Sequence, residues 1–139
     1  TGEREAQQAL AESEARFRLM ADSAPVMIWV ADEAGACVYL NEPWLRFTGR
    51  SVDEELGDGW AEGVHPDDLD RCLEVYRAAL ASREPFEMEH RLRRADGRYR
   101  WILDRGVPRR AGGSFAGFVG SCVDIHDRRR AEEAQELLA

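Results

Sequence analysis

The N-terminal segment has the hydrophobic spacing of an amphipathic helix. Residues 3–23 contain no Gly or Pro and are rich in Ala, Glu, Gln and Arg, which favour helix. Small and apolar side chains recur at alternating steps of four and three, a heptad-like seam formed by Ala6, Leu10, Ser13, Phe17, Met20 and Ala24. The seam is shorter than three heptads and leaves two interpretations open. The helix either pairs with a second helix as a coiled coil or lies against its own domain.

The next pattern is that of a β-hairpin. Val26–Ala31 is a short apolar run, Asp32–Gly35 supplies turn residues, and Ala36–Leu40 is largely apolar again. Two such runs joined by a short turn predict a pair of antiparallel strands.

Two short helices are then marked by their starting residues. Asn41 or Glu42 caps the first, and Pro43 stands in its first turn, where a missing N–H is tolerated. Ser51 and Glu54 are three residues apart and predict a capping box at the start of the second.

The longest predicted helix covers residues 66–82. Pro66 suits its first position, and Asp67 and Asp68 place negative charge at the positive end of the helix dipole. Its apolar residues have helical spacing and form one stripe, made by Leu69, Cys72, Leu73, Tyr76, Ala79 and Leu80. This helix is therefore expected to pack one face on a large apolar surface.

From Pro85 onwards, apolar and polar residues alternate with a period of two, which predicts strands. Asp96-Gly97 is a strong hairpin turn, and Arg98–Val107 forms the strand after it. Residues 111–113 turn into a third strand, Ser114–Ile125. With the first hairpin, these strands predict a five-stranded antiparallel sheet with helices over one face, an α+β fold.

Parts of this sheet are apolar on both faces. Ile102, Phe118 and Cys122 fall on one face, and Leu103, Val119 and Val123 fall on the other. One face takes the helices of the domain. The other is expected to be covered by the N-terminal helix or by a second copy of the chain.

Composition and charge restrict the class of protein. The chain has 139 residues and 44% hydrophobic residues, enough for one domain with a core. No apolar run is long enough to span a membrane, and a net charge of −8 argues against nucleic-acid binding. The three scattered cysteines form no metal-binding motif and fit a reducing, cytoplasmic setting.

Taken in order, these segments resemble the PAS sensory domain with its C-terminal PAC portion. The resemblance covers about residues 14–133. It is carried by ESEARFRLMADSAPVMIWVAD, VYLNEPWLRFTGRSVDEELG, VHPDDLDR, FEMEHRLRRADGRYRWILDRGVPRR and GFVGSCVDIHDRRRAEEA. The family ends its last strand in Asp-Ile-Thr, whereas this chain has Asp124-Ile125-His126.

The resemblance implies a curved five-stranded sheet that cups helices around a small cavity. It divides the chain into a linker helix at 1–23, a PAS core at 24–126 and the start of a signalling helix at 127–139. It also implies a regulatory module of a larger signalling protein, such as a histidine kinase, a diguanylate cyclase or phosphodiesterase, or a transcription regulator. Catalytic motifs of those output domains do not occur in this sequence, so we expect no enzyme here.

The junction at Asp124 is the expected relay point. Asp124 is placed to pair with Arg128, Arg129 or Arg130 and so to fix the direction in which the helix leaves the sheet. The predicted relay residues are Asp124, Ile125, His126 and Arg128. The alternative is a solvated helix start, whose surface ion pairs contribute about 0 to 1 kcal/mol. Ala131, Ala134 and Leu138 continue a three-four spacing, which allows a parallel homodimer through the terminal helices.

If a small ligand binds, a mostly apolar pocket with a few polar anchors is expected, although each candidate residue also suits a plain core. The candidates are Ile28, Tyr39, Asn41, Trp44, Phe47, Leu73, Tyr76, Leu103 and Ser121. Haem in this fold takes a His from the long helix, and residues 66–82 contain none. His90 is better interpreted as a core histidine, and the region of the flavin-reactive Cys holds Trp44 and Leu45. The cofactor is therefore left open.

Three functions remain open at this stage. The first is a sensor whose cavity binds a small ligand and whose terminal helix reports the binding. The second is a passive dimerisation or spacer module with a filled cavity. The third is a redox or gas sensor that carries haem or flavin.

Overall fold

The computed structural model describes residues 2–139 and contains five strands, five α-helices and one short 3-10 helix. The first half runs α1 (Gly2–Ser23), β1 (Met27–Ala31), β2 (Cys37–Leu40), α2 (Glu42–Thr48), α3 (Val52–Glu55) and the 3-10 helix Gly59–Gly63. The second half runs α4 (Pro66–Ser82), β3 (Phe86–Arg93), β4 (Tyr99–Ala111), β5 (Ser114–Asp124) and α5 (His126–Leu138).

The five strands form one antiparallel sheet in the order β2-β1-β5-β4-β3. The last strand lies in the middle, between the N-terminal hairpin and the β3–β4 hairpin. The predicted α+β architecture, with its helices over one face, is confirmed. The central position of β5 means that every other strand is at most two strands away from the one that leads into α5.

The helix starts follow the capping signals. The Asn41 side chain accepts a hydrogen bond from the Trp44 backbone N–H, so Asn41 rather than Glu42 caps α2. The Ser51–Glu54 capping box is formed in both directions. His65 caps α4 through Nδ1, which accepts from the Asp67 backbone N–H at 3.1 Å.

Two glycines shape the inner face of the sheet. Gly106 of β4 and Gly120 of β5 are paired across the ladder. A Cβ atom at Gly106 would overlap the Phe86 ring, and one at Gly120 would overlap the Trp29 ring. Because both positions lack side chains, the two rings lie flat on the sheet, stacked with centroids 5.9 Å apart.

The prediction that the sheet is apolar on both faces is confirmed. Ile102, Phe118 and Cys122 are at most 1% exposed beneath the helices. On the outer face Val107 is 50% exposed and Val123 is 41% exposed. The outer face is therefore open at these two positions in the single chain.

Helix α1 contacts the domain only through its last turns. Ala21 is its only buried residue among those described, and the Phe17 ring packs on Tyr39 with centroids 5.6 Å apart. The Tyr39 hydroxyl donates to the Asp22 carboxylate at 3.1 Å, and burial together with this bond raises the pKa of Tyr39 to about 12. The idea that α1 covers the outer sheet face holds only at this corner.

The predicted end of β4 at Val107 is wrong, because the strand continues to Ala111. Pro108 lies within it and pairs with Phe118 of β5. On the other side, the β3 ladder ends where Phe86 faces Gly106. Beyond that point β4 has a free edge, where a proline without an N–H removes no sheet hydrogen bond.

Candidate functional site

A small cavity lies between the inner face of the sheet and the helices. Its volume is about 30 Å³, room for about two water molecules. Its walls come from strands β1 to β4 and from α2, α4 and the 3-10 helix, through Trp29, Ala31, Cys37, Leu40, Trp44, Trp60, Tyr76, Phe86, Met88 and Asp104. Five of these ten residues carry aromatic rings.

The rings support one another mainly through edge-to-face contacts around Tyr76. Tyr76 meets Trp29 at 6.2 Å, Trp60 at 5.8 Å and Phe86 at 5.8 Å between ring centroids. Its hydroxyl donates to the Gly35 carbonyl at 2.8 Å, which holds α4 against the β1–β2 turn. Four of the five rings in the wall, those of Trp29, Trp60, Tyr76 and Phe86, therefore form one connected cluster.

Within the described residues 2–139, Asp104 of β4 is the only charged residue in the cavity wall. Its Oδ1 accepts from the Trp29 indole N–H at 2.9 Å, and its Oδ2 lies 3.3 Å from His90 Nε2. Asp104 is 7% exposed and His90 is 2% exposed. Cys122 is adjacent, and burial followed by the nearby Asp104 charge raises the pKa of its thiol well above the ordinary value. The polar end of the cavity is thus a buried carboxylate contacted by the Trp29 indole N–H and the His90 ring.

The structure brings only two of the nine predicted cavity residues to the cavity, namely Trp44 and Tyr76. Phe47 packs against the edge of the core, and Leu73 is half-buried on α4 away from the cavity. Asn41 is fully buried, but its side chain is used by the backbone. It accepts from the Ile28 and Trp44 N–H groups and donates to the carbonyls of Ala21 and Val26.

The remaining four predicted cavity residues belong to the outer face of the sheet. Ile28 pairs with Ser121, and Tyr39 pairs with outward-facing Val30. Leu103 lies between the inward-facing Ile102 and Asp104. Because side chains alternate along a strand, none of the four points to the cavity.

Asp104 and Trp29 line the cavity and form its polar contact, and neither was among the predicted cavity residues. The sequence did contain a signal for Asp104. It is two residues from Ile102, so both side chains lie on the same face of the strand, and the neighbouring strands are apolar. A carboxylate on the buried face of a strand is expected to be either paired or functional, because burying an isolated charge is costly.

The residues of the cavity do not fit haem or flavin in this conformation. Helix α4 offers no His, and the His90 Nε2 already faces Asp104. A pocket for a drug-sized ligand has a volume of about 300 Å³ or more, whereas this one has about 30 Å³. We therefore derive no step through either cofactor.

Arg50 fixes the elements that cover the cavity. Its Nε donates to the buried Glu55 carboxylate at 3.0 Å, and its Nη2 reaches Glu62 at 2.9 Å. Burial raises the pKa of Glu55, against the opposing Arg50 charge. This network joins α3 to the 3-10 helix that carries Trp60.

The relay junction is built differently from the prediction. Asp124 pairs with Arg100 of β4, with Arg100 Nε donating at 2.6 Å, and not with Arg128, Arg129 or Arg130. Its Oδ1 also accepts the His126 backbone N–H at 2.9 Å. Partial burial opposes ionisation, but the Arg100 and His126 hydrogen bonds lower the pKa of Asp124 overall. The expected ion pair fails because Arg100 faces Asp124 across the sheet from a strand 24 residues earlier.

Trp101 of β4 is the residue on which α5 docks. Its carbonyl accepts from the Ile125 N–H at 2.9 Å, and its N–H donates to His126 Nδ1 at 3.1 Å. Arg129 lies over the ring, with Cζ 3.7 Å from the centroid, and also pairs with Glu89 at 3.2 Å. His126, at the position where the family has Thr, thus contributes a ring nitrogen that ties the helix start to β4.

A second arginine links this junction to helix α4. Arg91 of β3 lies 5.0 Å from the Trp101 ring centroid. It binds Asp68 of α4 through Nε at 3.0 Å and Nη2 at 2.8 Å, and its backbone N–H donates to the same carboxylate. The Arg91 hydrogen bond lowers the pKa of Asp68 to about 2. Asp68, Arg91, Trp101 and Arg129 therefore form a continuous contact path from α4 to α5, which we call the Trp101 path.

Comparison with known proteins gives the family. A family model described as the PAS fold matches residues 37–122. The chain is 50% identical over 133 residues to the uncharacterized protein y4lL of Sinorhizobium fredii, covering 95% of this chain and 16% of that protein. It is 31% identical over 137 residues to the peroxide stress-activated histidine kinase mak1 of Schizosaccharomyces pombe, covering 91% of this chain and 8% of that one.

Among solved structures, the chain is similar to the sensory box histidine kinase/response regulator of Burkholderia thailandensis. The TM-score is 0.64 at 34% identity, and the match covers 88% of this chain and 93% of that one. By contrast, the chain spans 16% or less of the length of the two curated relatives. Among residues 2–139 no helix is long and apolar enough to cross a membrane. With its matched segment and five-stranded sheet, this chain belongs to the PAS fold family and is related to the PAS domains of sensor histidine kinases.

Proposed function

We propose that this chain is the ligand-responsive sensory module of a multidomain bacterial signal-transduction protein. The observation that carries the proposal is the position of two residues on β4. Asp104 faces the cavity, and Trp101, three residues earlier, holds the start of α5. At about 3.3 Å per residue, the two positions are roughly 10 Å apart on one rigid strand.

The mechanism follows from this arrangement. A ligand that contacts Asp104 changes the position of β4 relative to the helices. The same strand carries the Trp101 backbone groups to which Ile125 and His126 bind, so α5 moves with it. The Trp101 path gives α4, which forms part of the cavity wall, a second route to Arg129. The output domain would follow α5 in the same protein, and the three buried free cysteines suit a reducing cytoplasm.

The terminal helices are the proposed dimer contacts. On α1, Leu10 is 62% exposed and Met20 is 68% exposed, and Leu138 near the end of α5 is 88% exposed. We expect the Leu10→Glu, Met20→Glu double variant to shift the mass measured by light scattering from dimer towards monomer. The Gln7→Glu, Gln8→Glu double variant, on an exposed part of the same helix, is the charge-matched control. An unchanged mass in the double variant would contradict dimerisation through α1.

A passive dimerisation or spacer module is the second candidate. It is favoured by the cavity volume of about 30 Å³, since most of the interior is already filled by side chains. In that case the contacts at Trp101 only hold the helix in place.

Native mass spectrometry of the purified chain separates the two candidates. We expect a retained small molecule in the wild type and none in Ala31→Leu, which adds bulk at a cavity-wall position that is 1% exposed. Ala78→Leu, on the exposed side of α4, is the size-matched control. If the wild type carries nothing and no metabolite fraction raises its melting temperature, the passive module is the correct function.

A further inference from the structure

We propose that the cavity takes a small organic cation, with an ammonium or alkylammonium group held by Asp104 and the aromatic wall. This inference rests on the proposed sensory function and names the chemical class of the ligand. It is argued from the composition of the wall, the charge of Asp104 and the size of the cavity.

The composition of the wall favours a cation. Three indole rings, one phenol ring and one phenyl ring line a single small space, from Trp29, Trp44, Trp60, Tyr76 and Phe86. The face of an aromatic ring is negative, so rings that surround a cation attract it, most strongly where water is excluded. A neutral apolar ligand would gain from the same rings only the free energy of burying its apolar surface.

The charge at Asp104 is not compensated by its protein partners. His90 Nδ1 is buried and has no hydrogen-bond partner among the described residues. A protonated imidazole would bury an N–H there without an acceptor, so the geometry supports a neutral ring with its proton on Nε2. Asp104 then accepts from two neutral donors, Trp29 and His90, and remains a buried carboxylate with a net charge. Its two oxygens have further lone pairs for a ligand N–H, and its charge would repel an anion.

The size of the cavity restricts the ligand to one small charged group inside. A volume of about 30 Å³ accommodates an ammonium or methylammonium head. Trp60 and Phe86 are the two wall residues that are only partly buried, so they form the rim. Trp60 lies on the five-residue 3-10 helix Gly59–Gly63, and a larger head or a ligand tail would leave past it.

The test is a titration of the wild-type chain with pairs of charged and neutral probes. Methylammonium, tetramethylammonium and choline are compared with the neutral carbon isostere of choline, in which a tert-butyl group replaces the trimethylammonium group. Binding is followed by the indole N–H signal of Trp29 in NMR spectra, because this proton points at Asp104. We expect at least one ammonium probe to bind about tenfold or more tightly than the neutral isostere.

Two variants with matched controls assign the effect to the cavity. Asp104→Asn keeps the shape and the acceptor for Trp29, and it should weaken the ammonium probe about tenfold or more while leaving the neutral isostere unchanged. Asp70→Asn, the same substitution at an exposed position of α4 outside the cavity wall, should leave both unchanged. Trp60→Leu should weaken the ammonium probe, and Trp60→Phe should retain most of its binding.

The outcomes separate this inference from the proposed function. If neutral and charged probes bind equally, or if Asp104→Asn binds the cation as well as the wild type, the cation class is wrong and the sensory function stands. If no probe of either kind binds and the native mass spectrum shows an empty chain, both the inference and the sensory function are overturned.

Discussion

The Arg129 guanidinium lies on the face of the Trp101 ring, 3.7 Å from its centroid, and connects α5 to the sheet. Arg91 contacts the same ring at 5.0 Å. Because Trp101 also forms backbone hydrogen bonds to Ile125 and His126, the start of α5 is attached by both main-chain and side-chain contacts. These contacts tie the direction in which α5 leaves the sheet to the position of Trp101 on β4.

Replacing Trp101 is expected to release the first turns of α5. Trp101→Leu removes the ring contacts to Arg91 and Arg129 and keeps the backbone bonds, so the free energy of unfolding should fall by about 1 to 3 kcal/mol. Hydrogen exchange of the amides at 126–133 should accelerate more than that of β1. Arg128→Ala, a neighbour with a side chain that is 56% exposed, should change neither quantity. Equal protection of α5 in Trp101→Leu and the wild type would show that the ring does not hold the helix.

The Asp68–Arg91 pair should give the protein a pH-dependent stability at the acid end. The pKa of Asp68 is lowered from 3.8 to about 2 by Arg91, so its contribution is complete above pH 3.8 and is lost as the pH falls towards 2. At about 1.4 kcal/mol per pH unit, the pH-dependent part is roughly 2 kcal/mol.

Urea unfolding of the wild type and of Asp68→Asn between pH 2 and 6 measures this contribution as the difference between their free energies of unfolding. When the free energy of unfolding is plotted against pH, the curves of the wild type and of Asp68→Asn should approach each other as the pH falls. Asp67→Asn, with a side chain that is 79% exposed, serves as the control and should differ from the wild type by a small, nearly constant amount. A difference for Asp68→Asn that does not depend on pH would refute the assignment.

Asn41 should be essential for joining α1 to the domain. Its four hydrogen bonds run to β1, α2 and the end of α1 from a side chain that is 0% exposed. Asn41→Ala should lower the free energy of unfolding by about 3 kcal/mol or more, because it leaves buried backbone groups without partners. Asn41→Asp keeps the two acceptor contacts but places a carboxylate against the carbonyls of Ala21 and Val26.

We therefore expect Asn41→Asp to be destabilised as well, with the largest increase in hydrogen exchange at residues 17–23. Thermal unfolding and exchange measured on the same samples check this. Ser51→Ala removes an exposed helix cap and gives a reference loss of about 1 kcal/mol. An Asn41→Asp variant as stable as the wild type would mean that the two donated bonds contribute little.

The cysteines should be unreactive in the folded protein. Burial raises the pKa of Cys37 and of Cys72 to about 11, which leaves about one thiolate in a thousand at pH 8. A thiol reagent at pH 8 should therefore label none of the three cysteines until urea unfolds the chain. Ala34→Cys, in the exposed β1–β2 turn, should add one site that reacts at once. Rapid labelling of a native cysteine would instead indicate an open, redox-accessible core.

Local signals determined most of the fold. The capping box at Ser51 and Glu54, Pro66 at the start of α4 and the Asp96-Gly97 turn all work through neighbouring backbone groups, so they are visible in the sequence and are confirmed. The end of β4 was missed because Pro108 is tolerated only where β3 has already ended. That depends on the length of another strand and not on the residues around Pro108.

The candidate site was predicted only in part, because contacts between segments that are distant in the sequence determine which residues line it. The alternation of side chains along the strands was visible in the sequence. Because both faces of the sheet are apolar, the sequence did not show which of the two alternating sets of residues faces the helices. Leu103 was therefore chosen where Asp104 lines the cavity.

The sequence by itself determined the elements, their order and the family, since each depends on neighbours within a few positions. Only the tertiary structure decided that Asp124 pairs with Arg100, that Trp101 carries α5, and that five aromatic rings line one cavity with Asp104. These contacts are made when the sheet brings together strands that are far apart in the chain, and burial then selects which side chains lose their water.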